Sequence, residues 1–524
     1  MKKFLSVVLC LAMLMSFAVP AFAADESVLP VIYIVGKGNN QDYDICDAQG
    51  NILYDPNDLD AGAHIMDVAP PVLKELAKAL VTGDYSVYID SLVAATAVIY
   101  EDHALDKNGE ASNGTGIPWD YKTAPIEKKD GYYYFYYDWR LSPVYIADQL
   151  DVYIERVLAE TGASQVNVHC RCLGANFTAA YLSKSFYGEY SHPFRVRNLL
   201  INTGGLAGYI TLGSLLSGSI EFTPDTIDRF VTAFLDGGAL FDDPMIASLA
   251  ATAVSLMNSA EILDLGVDLV ANIYNDIAPE LLPKLALCCY GGYPSYWSMV
   301  SDKYYDKAKA TIFSTPELQA EYKGFIEKID EYHALLGDTN EKTGRPLYED
   351  LLLDLDKAGV GIAVVAKYGM ANVPMFEGSE QTGDMRGTVE ELSFGATGTD
   401  IGKTFSDDYL KEAQAKGTAK YISPDKTVDA STALFPDRTW FIKNIAHEIF
   451  PVEVDDICTL FFASDGKMTV CDSETFPQYL DYVDGKVVAD EGGSKLMIWT
   501  NNVLELLSRF FKSLVGVIKS LLTK

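Results

Sequence analysis

Val166-Asn167-Val168-His169-Cys170-Arg171-Cys172-Leu173-Gly174-Ala175-Asn176 is the stretch that decides the fold. Its apolar, β-branched beginning predicts a strand over residues 165–170, and the residues after it predict a helix over 173–187. A strand that turns sharply into a helix, with small residues two positions before and two after a central residue, is typical of a nucleophile elbow. Cys170 and Gly174 are those small residues, and they flank Cys172. The stretch therefore predicts that Cys172 is a strained, exposed nucleophile.

The chain around this stretch alternates strand and helix patterns. Further strands are predicted over residues 31–35, 132–137, 197–202 and 361–367. After the second of these strands, Ser142 is a predicted N-cap, Pro143 the first helical residue and Gly162 the stop signal. Strands separated by helices of this length build βαβ units. We therefore predict an α/β fold with a mostly parallel sheet.

The alternation breaks from about residue 208 to residue 357, where the pattern is nearly all helical and rich in Leu and Ala. The simplest interpretation is a large helical cap inserted between two strands of one sheet. A separate helical domain is the alternative. Strand patterns resume after this segment, so the sheet is expected to continue there.

Two Asp-Gly pairs, Asp465-Gly466 and Asp484-Gly485, lie near the end of the chain. Such pairs favour tight hairpin turns. We therefore predict a small appended C-terminal β-hairpin element over residues 452–494. Cys458 and Cys471 flank the first pair, which leaves a cross-strand disulfide open.

Both termini have patterns of their own. Two lysines, an apolar run and an A-x-A site predict a signal peptide over residues 1–23, with cleavage after Ala23 and a secreted, extracellular protein. Residues 495–524 predict a basic amphipathic helix. That helix could contact a membrane or envelope surface peripherally, pair with a partner helix, or dock on its own domain.

Composition limits the partners. The formal net charge is −32, from 73 acidic and 41 basic residues, so we expect no nucleic-acid partner. Cleavage after Ala23 leaves an odd number of cysteines, so at least one is free or pairs with another molecule. Their spacing does not resemble a structural zinc site, and no metal or organic cofactor is expected. A metal site built from His169, Cys170 and Cys172 is a distant alternative, because successive residues of a strand and elbow point in different directions.

Several segments, in order, resemble the lecithin:cholesterol acyltransferase-like lipase family of the α/β-hydrolase superfamily. The matching segments are Tyr137-Asp138-Trp139-Arg140-Leu141-Ser142-Pro143, the elbow, Gly204-Gly205-Leu206-Ala207-Gly208 through Leu215-Leu216-Ser217-Gly218, Pro294-Ser295-Tyr296-Trp297, Gly383-Asp384, Gly387-Thr388-Val389, and His447. The match spans roughly residues 31–451. It implies an α/β-hydrolase domain over residues 24–451 that includes the helical cap.

The resemblance also implies a set of catalytic residues. Cys172 would be the nucleophile, Asp384 the acid and His447 the base, in the chain order of α/β-hydrolases. Asp400 and Glu390 compete with Asp384 for the role of the acid. A thiolate is a strong nucleophile once an imidazole lowers its pKa, so this set suits acyl transfer.

The chain departs from the family in two places. Cys172 and Arg171 stand where the family has serine and the histidine before it, although dienelactone hydrolases of the same fold use a cysteine elbow. Met385 and Arg386 interrupt the acid loop.

The oxyanion hole is predicted from backbone N–H groups. Leu173 supplies one, and the loop Gly36, Lys37, Gly38 supplies the other, because its glycines permit a close approach of the backbone. Asp138 and Arg140 are interpreted as an ion pair that supports this loop.

These expectations combine into one function. The chain is predicted to be a secreted carboxylic-ester hydrolase that acts on an ester or lipid through an acyl-thioester on Cys172. Transfer of the acyl group to an alcohol acceptor is the second possibility. A hydrolase fold with a dead site, retained as a binding or surface-attachment module, is an alternative of a different class, and a metal-binding or redox protein built on Cys170 and Cys172 is a distant third.

Overall fold

The computed structural model describes residues 29–37, 44–54, 61–112, 114–220, 267–372, 378–490 and 492. The predicted signal peptide and the predicted amphipathic helix at the C-terminus lie outside the described residues. So do Gly38 and residues 221–266, a large part of the predicted cap.

The described strands are β1 (Val31–Ile34), β2 (Ile45–Cys46), β3 (Ile52–Tyr54), β4 (Lys128–Lys129), β5 (Tyr132–Phe135), β6 (Val166–Arg171), β7 (Val196–Asn202), β8 (Gly361–Tyr368), β9 (Met370–Ala371), β10 (Thr382–Gly383), β11 (Thr397–Gly398), β12 (Val428–Asp429), β13 (Thr439–Lys443), β14 (Tyr479–Val483) and β15 (Lys486–Ala489). Nine of them form one sheet, in the order β15-β14-β13-β8-β7-β6-β1-β5-β4. Neighbours from β5 to β14 pair in parallel, whereas β4 and β15 pair antiparallel at the two edges. The mostly parallel sheet confirms the predicted fold class.

The described α-helices are α1 (Ala61–Thr82), α2 (Ser86–Tyr100), α3 (Pro143–Thr161), α4 (Gly174–Phe186), α5 (Ile210–Leu216), α6 (Val267–Leu287), α7 (Pro294–Trp297), α8 (Asp302–Ile312), α9 (Pro316–Glu321), α10 (Lys323–Tyr332), α11 (Leu347–Lys357), α12 (Val389–Ser393), α13 (Asp407–Lys416) and α14 (Glu453–Ala463). Helix α3 begins at Pro143 and ends before Gly162, which adopts the left-handed conformation of a C-cap. Its apolar residues Ile146, Leu150 and Ile154 have no exposed surface, because the helix packs on the sheet. Among the described helices, none combines the length with the apolar character that a membrane span requires.

Strand β6 lies near the centre of the sheet, between β1 and β7. All its residues are buried because helices cover both faces of a parallel sheet. His169 packs against Tyr33 and Tyr132 on one face, whereas Cys170 belongs to the core on the other face. The two side chains therefore point apart, which argues against a shared metal site with Cys172.

Between β7 and β8 the described residues carry helices and no named strand. Helices α5 to α11 lie in this segment, and a π-helical turn, His333–Gly337, follows α10. Their placement agrees with a helical pattern over the predicted cap, as far as the structure describes it.

The C-terminal part of the chain differs from the predicted appended β element. Residues around Cys458 form the helix α14, so the first Asp-Gly pair closes a helix and not a hairpin. The cross-strand disulfide that the sequence left open is therefore not formed, and Cys458 and Cys471 are free thiols. The second pair does turn a hairpin, between β14 and β15. That hairpin extends the main sheet, because β14 pairs in parallel with β13.

Candidate active site

The nucleophile elbow is present at Cys172. Strand β6 ends one residue before it, and α4 begins two residues after it. Cys172 has a φ of 50°, in the left-handed region that side chains rarely adopt. Its N–H donates to the carbonyl of Asn202 at 3.1 Å, and its own carbonyl accepts from Ala175 at the same distance. These bonds hold the strained turn and leave the thiol partly exposed.

Two glycines allow the chain to pass close to the elbow. A Cβ added at Gly174 would lie 2.4 Å from the carbonyl oxygen of Val35. A Cβ added at Gly36 would lie 2.7 Å from Cβ of Cys172 and 3.2 Å from its Sγ. Real Cβ contacts do not approach so closely, so β1 and its following loop can reach the nucleophile only because both positions are glycine.

The predicted acid and base meet in the structure. Nδ1 of His447 lies 2.6 Å from Oδ2 of Asp384, and both side chains are buried. Oδ1 of Asp384 accepts the N–H groups of Arg386 and Gly387, each at 3.1 Å. Three N–H groups therefore hold the carboxylate: Nδ1 of His447 and the backbone N–H groups of Arg386 and Gly387. The backbone N–H of His447 also donates to the backbone carbonyl of Asp384 at 2.9 Å, so the acid fixes the orientation of the imidazole.

The departures in the acid loop have a structural role. Met385 has a φ of 81°, so the loop turns sharply after Asp384. The guanidinium of Arg386 then reaches Oε1 of Glu448, at 2.9 Å from Nε and 2.7 Å from Nη2. This ion pair joins the acid loop to the residue after His447, and so links the two loops that carry the acid and the base.

The competing acids have other partners. Asp400 pairs with Lys403 at 2.7 Å on the surface. Glu390 is exposed and lies 3.4 Å from Nε2 of Gln381. Of the three candidate acids, Asp384 is therefore the one that the fold brings to His447.

The charges of Cys172, His447 and Asp384 support one another. Burial opposes ionisation of the Cys172 thiol, but the adjacent His447 outweighs it and lowers the pKa of the thiol. Burial also opposes protonation of His447, yet Asp384 and Cys172 together raise the pKa of His447 to about 10. Burial works against ionisation of Asp384 as well, and His447 still holds its pKa below the usual value. The arrangement favours a thiolate beside an imidazolium.

Nε2 of His447 is the nitrogen that remains for the thiol, because Nδ1 is engaged by Asp384. Nε2 is buried, and the described residues offer it no other hydrogen-bond partner. Nε2 of His447 can therefore exchange a proton with the thiol of Cys172 and with a substrate bound beside it.

Of the predicted oxyanion donors, Leu173 and Gly36 contact Cys172, and Gly38 lies outside the described residues. The N–H of Leu173 is directed at Cys172 and contributes to the low pKa of its thiol. Gly36 contacts Cys172, as described above, and Lys37 follows it directly. The ammonium of Lys37 lies 4.7 Å from the ring centres of Trp139 and Tyr290, so cation–π contacts hold this loop against its neighbours.

The ion pair of Asp138 and Arg140 forms, but it acts on other segments than the oxyanion loop. Nε of Arg140 donates to Oδ1 of Asp138 at 2.8 Å, and Nη1 donates to the carbonyl of His103 at 2.7 Å. The same block reaches the oxyanion loop through two other residues. Tyr137 donates to the carbonyl of Val35, and Trp139 lies under the ammonium of Lys37.

Three residues near the site escaped the sequence analysis. The hydroxyl of Tyr209 interacts with the thiol of Cys172, and its ring meets that of His447 edge-on, with 5.2 Å between centres. Glu448 and the buried Lys367 lie beside the acid and the base. Lys367 alone had a signal in the sequence, because it is a single charge in the apolar run of β8.

The sheet, the elbow and the meeting of acid and base at the carboxyl ends of the strands define a protein of the α/β-hydrolase fold. No protein-family model matches the chain, and no curated protein sequence matches it significantly. The resemblance to the lecithin:cholesterol acyltransferase-like family is therefore without independent support.

Among solved structures, the chain is similar to Kex1Δp, a prohormone-processing carboxypeptidase from Saccharomyces cerevisiae. The two share 12% sequence identity with a TM-score of 0.19, over 58% of this chain and 65% of the carboxypeptidase. The chain thus spans less than two thirds of that protein.

Proposed function

We propose that this protein is a carboxylic-ester hydrolase that acts through a covalent acyl-enzyme on Cys172. One observation carries the proposal: Asp384 orients His447, and His447 acts on a cysteine held in a strained elbow. A nucleophile, a base and an acid in this relation form the unit that performs acyl transfer on many folds.

In the first half of the reaction, the thiolate of Cys172 attacks the ester carbonyl carbon, and the carbonyl electron pair moves onto oxygen. The N–H groups of Leu173 and Lys37 are the proposed donors to this oxyanion. When the C=O bond re-forms, the ester C–O bond breaks, and Nε2 of His447 gives its proton to the departing alcohol. The acyl group remains on sulfur as a thioester.

In the second half, water attacks the thioester. His447, now neutral, takes a proton from the water, and the sulfur leaves as the thiolate. The products are the carboxylic acid and the starting thiolate–imidazolium pair. An alcohol in place of water gives acyl transfer by the same step, so hydrolysis and transfer share one acyl-enzyme.

The test is to incubate the reduced, purified protein with p-nitrophenyl esters of increasing acyl length. Cys172→Ala, Cys172→Ser and the wild type are compared, and the acyl group on Cys172 is sought by peptide mass spectrometry. We expect turnover by the wild type, an acylated Cys172 peptide, and loss of both in Cys172→Ala. The preferred acyl length would then indicate the substrate, and an added alcohol would separate transfer from hydrolysis.

Cys471→Ala is the matched control, because Cys471 is an exposed thiol away from the site. Turnover that survives in Cys172→Ala would contradict the proposal. Folded protein that is silent with all esters would favour a binding module. Activity gained only in Cys172→Ser would point to a hydrolase disabled at its nucleophile.

The proposal includes export of the mature enzyme and attachment through the amphipathic segment. N-terminal sequencing of secreted protein tests cleavage after Ala23. Co-sedimentation with anionic phospholipid vesicles, with and without residues 495–524, tests peripheral membrane contact. Equal sedimentation of both forms would remove the C-terminal segment from the proposal.

A further inference from the structure

Lys367 is a buried lysine at the end of the central strand β8, and its side chain has no exposed surface. Its Nζ donates to three backbone carbonyls: that of His447 at 2.6 Å, that of Ile449 at 2.7 Å and that of Ala446 at 3.2 Å. All three carbonyls belong to the loop that carries the catalytic base. One of them belongs to the base itself.

A buried charge is costly unless its hydrogen bonds are satisfied. An ammonium has three N–H donors, and the three carbonyls match this number. The loop therefore accepts all three hydrogen bonds of the ammonium, and these bonds in turn fix the conformation of the loop. An apolar side chain in its place would leave the three carbonyls at the turn without their donor.

Phe450 extends this contact to the nucleophile elbow. The ammonium of Lys367 lies 4.1 Å from the centre of the Phe450 ring, and the guanidinium carbon of Arg171 lies 4.0 Å from the same centre. Arg171 is the residue directly before Cys172. Through this ring, two cations join the loop of the base to the turn of the nucleophile.

The charged groups with the largest effect on Lys367 lie on the acid loop, on the loop of the base and on the nucleophile elbow. They are the carboxylates of Asp384 and Glu448, the guanidinium of Arg171 and the thiol of Cys172. Burial lowers the pKa of Lys367 to about 8, against the pull of the two carboxylates. The ammonium is therefore the main form at neutral pH. A cation at this place favours the ionised forms of both Asp384 and Cys172.

We propose that Lys367 is a positioning residue that holds the His447 loop by its three carbonyls and whose charge supports, beside His447, the thiolate form of Cys172. This inference rests on the proposed function, because it assigns Lys367 to the same acyl-transfer site. It also explains why a strand otherwise built of apolar residues carries a lysine at this position.

The test measures the thiolate directly and needs no substrate. The rate of alkylation of Cys172 by iodoacetamide is followed from pH 5 to pH 10 by peptide mass spectrometry, which separates Cys172 from the other cysteines. Three variants are compared with the wild type: Lys367→Met, Lys367→Arg, which retains the charge, and Lys443→Met. Lys443 is the matched control, because it is a buried lysine on the neighbouring strand β13 whose partner is Asp425, at 2.7 Å.

We expect Lys367→Met to raise the midpoint of the alkylation profile by roughly one pH unit. Lys367→Arg should keep the midpoint low, and Lys443→Met should leave it unchanged. In the ester assay, Lys367→Met should lower kcat by roughly tenfold or more with little change in KM, because the base would be less precisely placed. If Lys367→Met does not fold, Lys367→Gln carries the same comparison, because its amide retains two N–H donors without the charge.

An unchanged midpoint in folded Lys367→Met or Lys367→Gln would overturn the inference and reduce Lys367 to a packing role. The failure of the proposed function looks different. A shifted midpoint in a protein that turns over no ester would support the role of Lys367 and reject the substrate class. Ester turnover that depends on Cys172, with an unshifted midpoint, would support the proposed function and reject the role of Lys367.

Discussion

At position 36 the protein has room for a hydrogen atom and for nothing larger. A methyl group there would press on both Cβ and Sγ of Cys172, at 2.7 and 3.2 Å. The nucleophile cannot yield easily, because its backbone is already strained at a φ of 50°. The space around the thiol is thus created by a residue in the loop that follows β1.

We therefore predict that Gly36→Ala lowers kcat/KM for esters by about 100-fold or more, because misplacement near the reacting atoms is costly. Ester kinetics together with circular dichroism would check it. Gly116→Ala is the control, since its added Cβ would meet only Oδ2 of Asp138, at an ordinary 3.9 Å. Full activity in Gly36→Ala would show that the elbow is looser than its contacts indicate.

A second prediction concerns the choice of acid. Asp384→Asn should lower kcat on the order of 1000-fold, because an amide cannot stabilise the imidazolium of His447 and favours the wrong tautomer. Asp400→Asn should leave kcat unchanged, since Asp400 pairs with Lys403 at the surface. Steady-state kinetics of both variants decide between the two acids. Equal losses in both would contradict the assignment.

At the scale of elements, the two Asp-Gly pairs show how far a sequence pattern reaches. Both pairs have positive φ values at both residues. Such a pair closes a type I′ hairpin, but the same backbone also ends a helix. Asp484 and Gly485 close the hairpin between β14 and β15. Asp465 and Gly466 instead end the helix α14. Local sequence does not distinguish these uses, because tertiary packing selects between them.

The packing around the first pair leads to a stability prediction. A Cβ at Gly466 would lie 2.1 Å from Oδ1 of Asn198 and 2.7 Å from Cα of Gly361. Gly485 has a similar φ, but a Cβ there would meet nothing within 4 Å. We predict that Gly466→Ala lowers the free energy of unfolding by about 2–4 kcal/mol and Gly485→Ala by only about 1 kcal/mol. Urea unfolding of the two variants measures the difference, and equal losses would contradict the packing argument.

The central strands and the elbow could be predicted from sequence because their signals are local. The strand at β6 and the helix at α3 follow from periodicity and caps, and the elbow at Cys172 follows from its small flanking residues. Asp384 and His447 came from the family resemblance, and the structure brings their side chains together. The supporting contacts could not be predicted in this way. The ion pair of Arg386 with Glu448 joins residues 62 positions apart, and no local pattern encodes that contact.

At the scale of the whole molecule, the core encloses two histidines, His169 and His103, whose burial makes the stability of the protein depend on pH. His169 is buried in the middle of the sheet, where it packs on Tyr33. Burial, with a smaller effect from Arg171, lowers the pKa of His169 to about 3. Burial likewise lowers the pKa of His103 to about 3, with smaller effects from Lys37 and Arg140. Both imidazoles therefore stay neutral in the folded protein at pH values where they would be protonated in the unfolded chain.

The sign of the resulting pH dependence follows from proton counting. The unfolded chain binds a proton on each of these histidines below about pH 6.5, and the folded protein does not until about pH 3. The unfolded state thus binds more protons in this window, so stability falls as the pH falls. His447 adds no slope there, because both states bind its proton below about pH 6.5, and its contribution is lost as the pH rises from about 6.5 to about 10.

We predict that the free energy of unfolding falls by about 1.4 kcal/mol per pH unit for each of the two histidines between pH 6 and pH 4.5. His169→Phe, which keeps an aromatic ring between Tyr33 and Tyr132, should reduce this slope by the share of one histidine. His192→Gln should not reduce it, because His192 has partners in Asp151 and Pro193 that raise its pKa against the effect of burial. Urea unfolding at a series of pH values measures the three slopes. An unchanged slope in His169→Phe would contradict the prediction. It would mean that His169 is protonated within the folded core, and therefore that water reaches the face of β6 on which it lies.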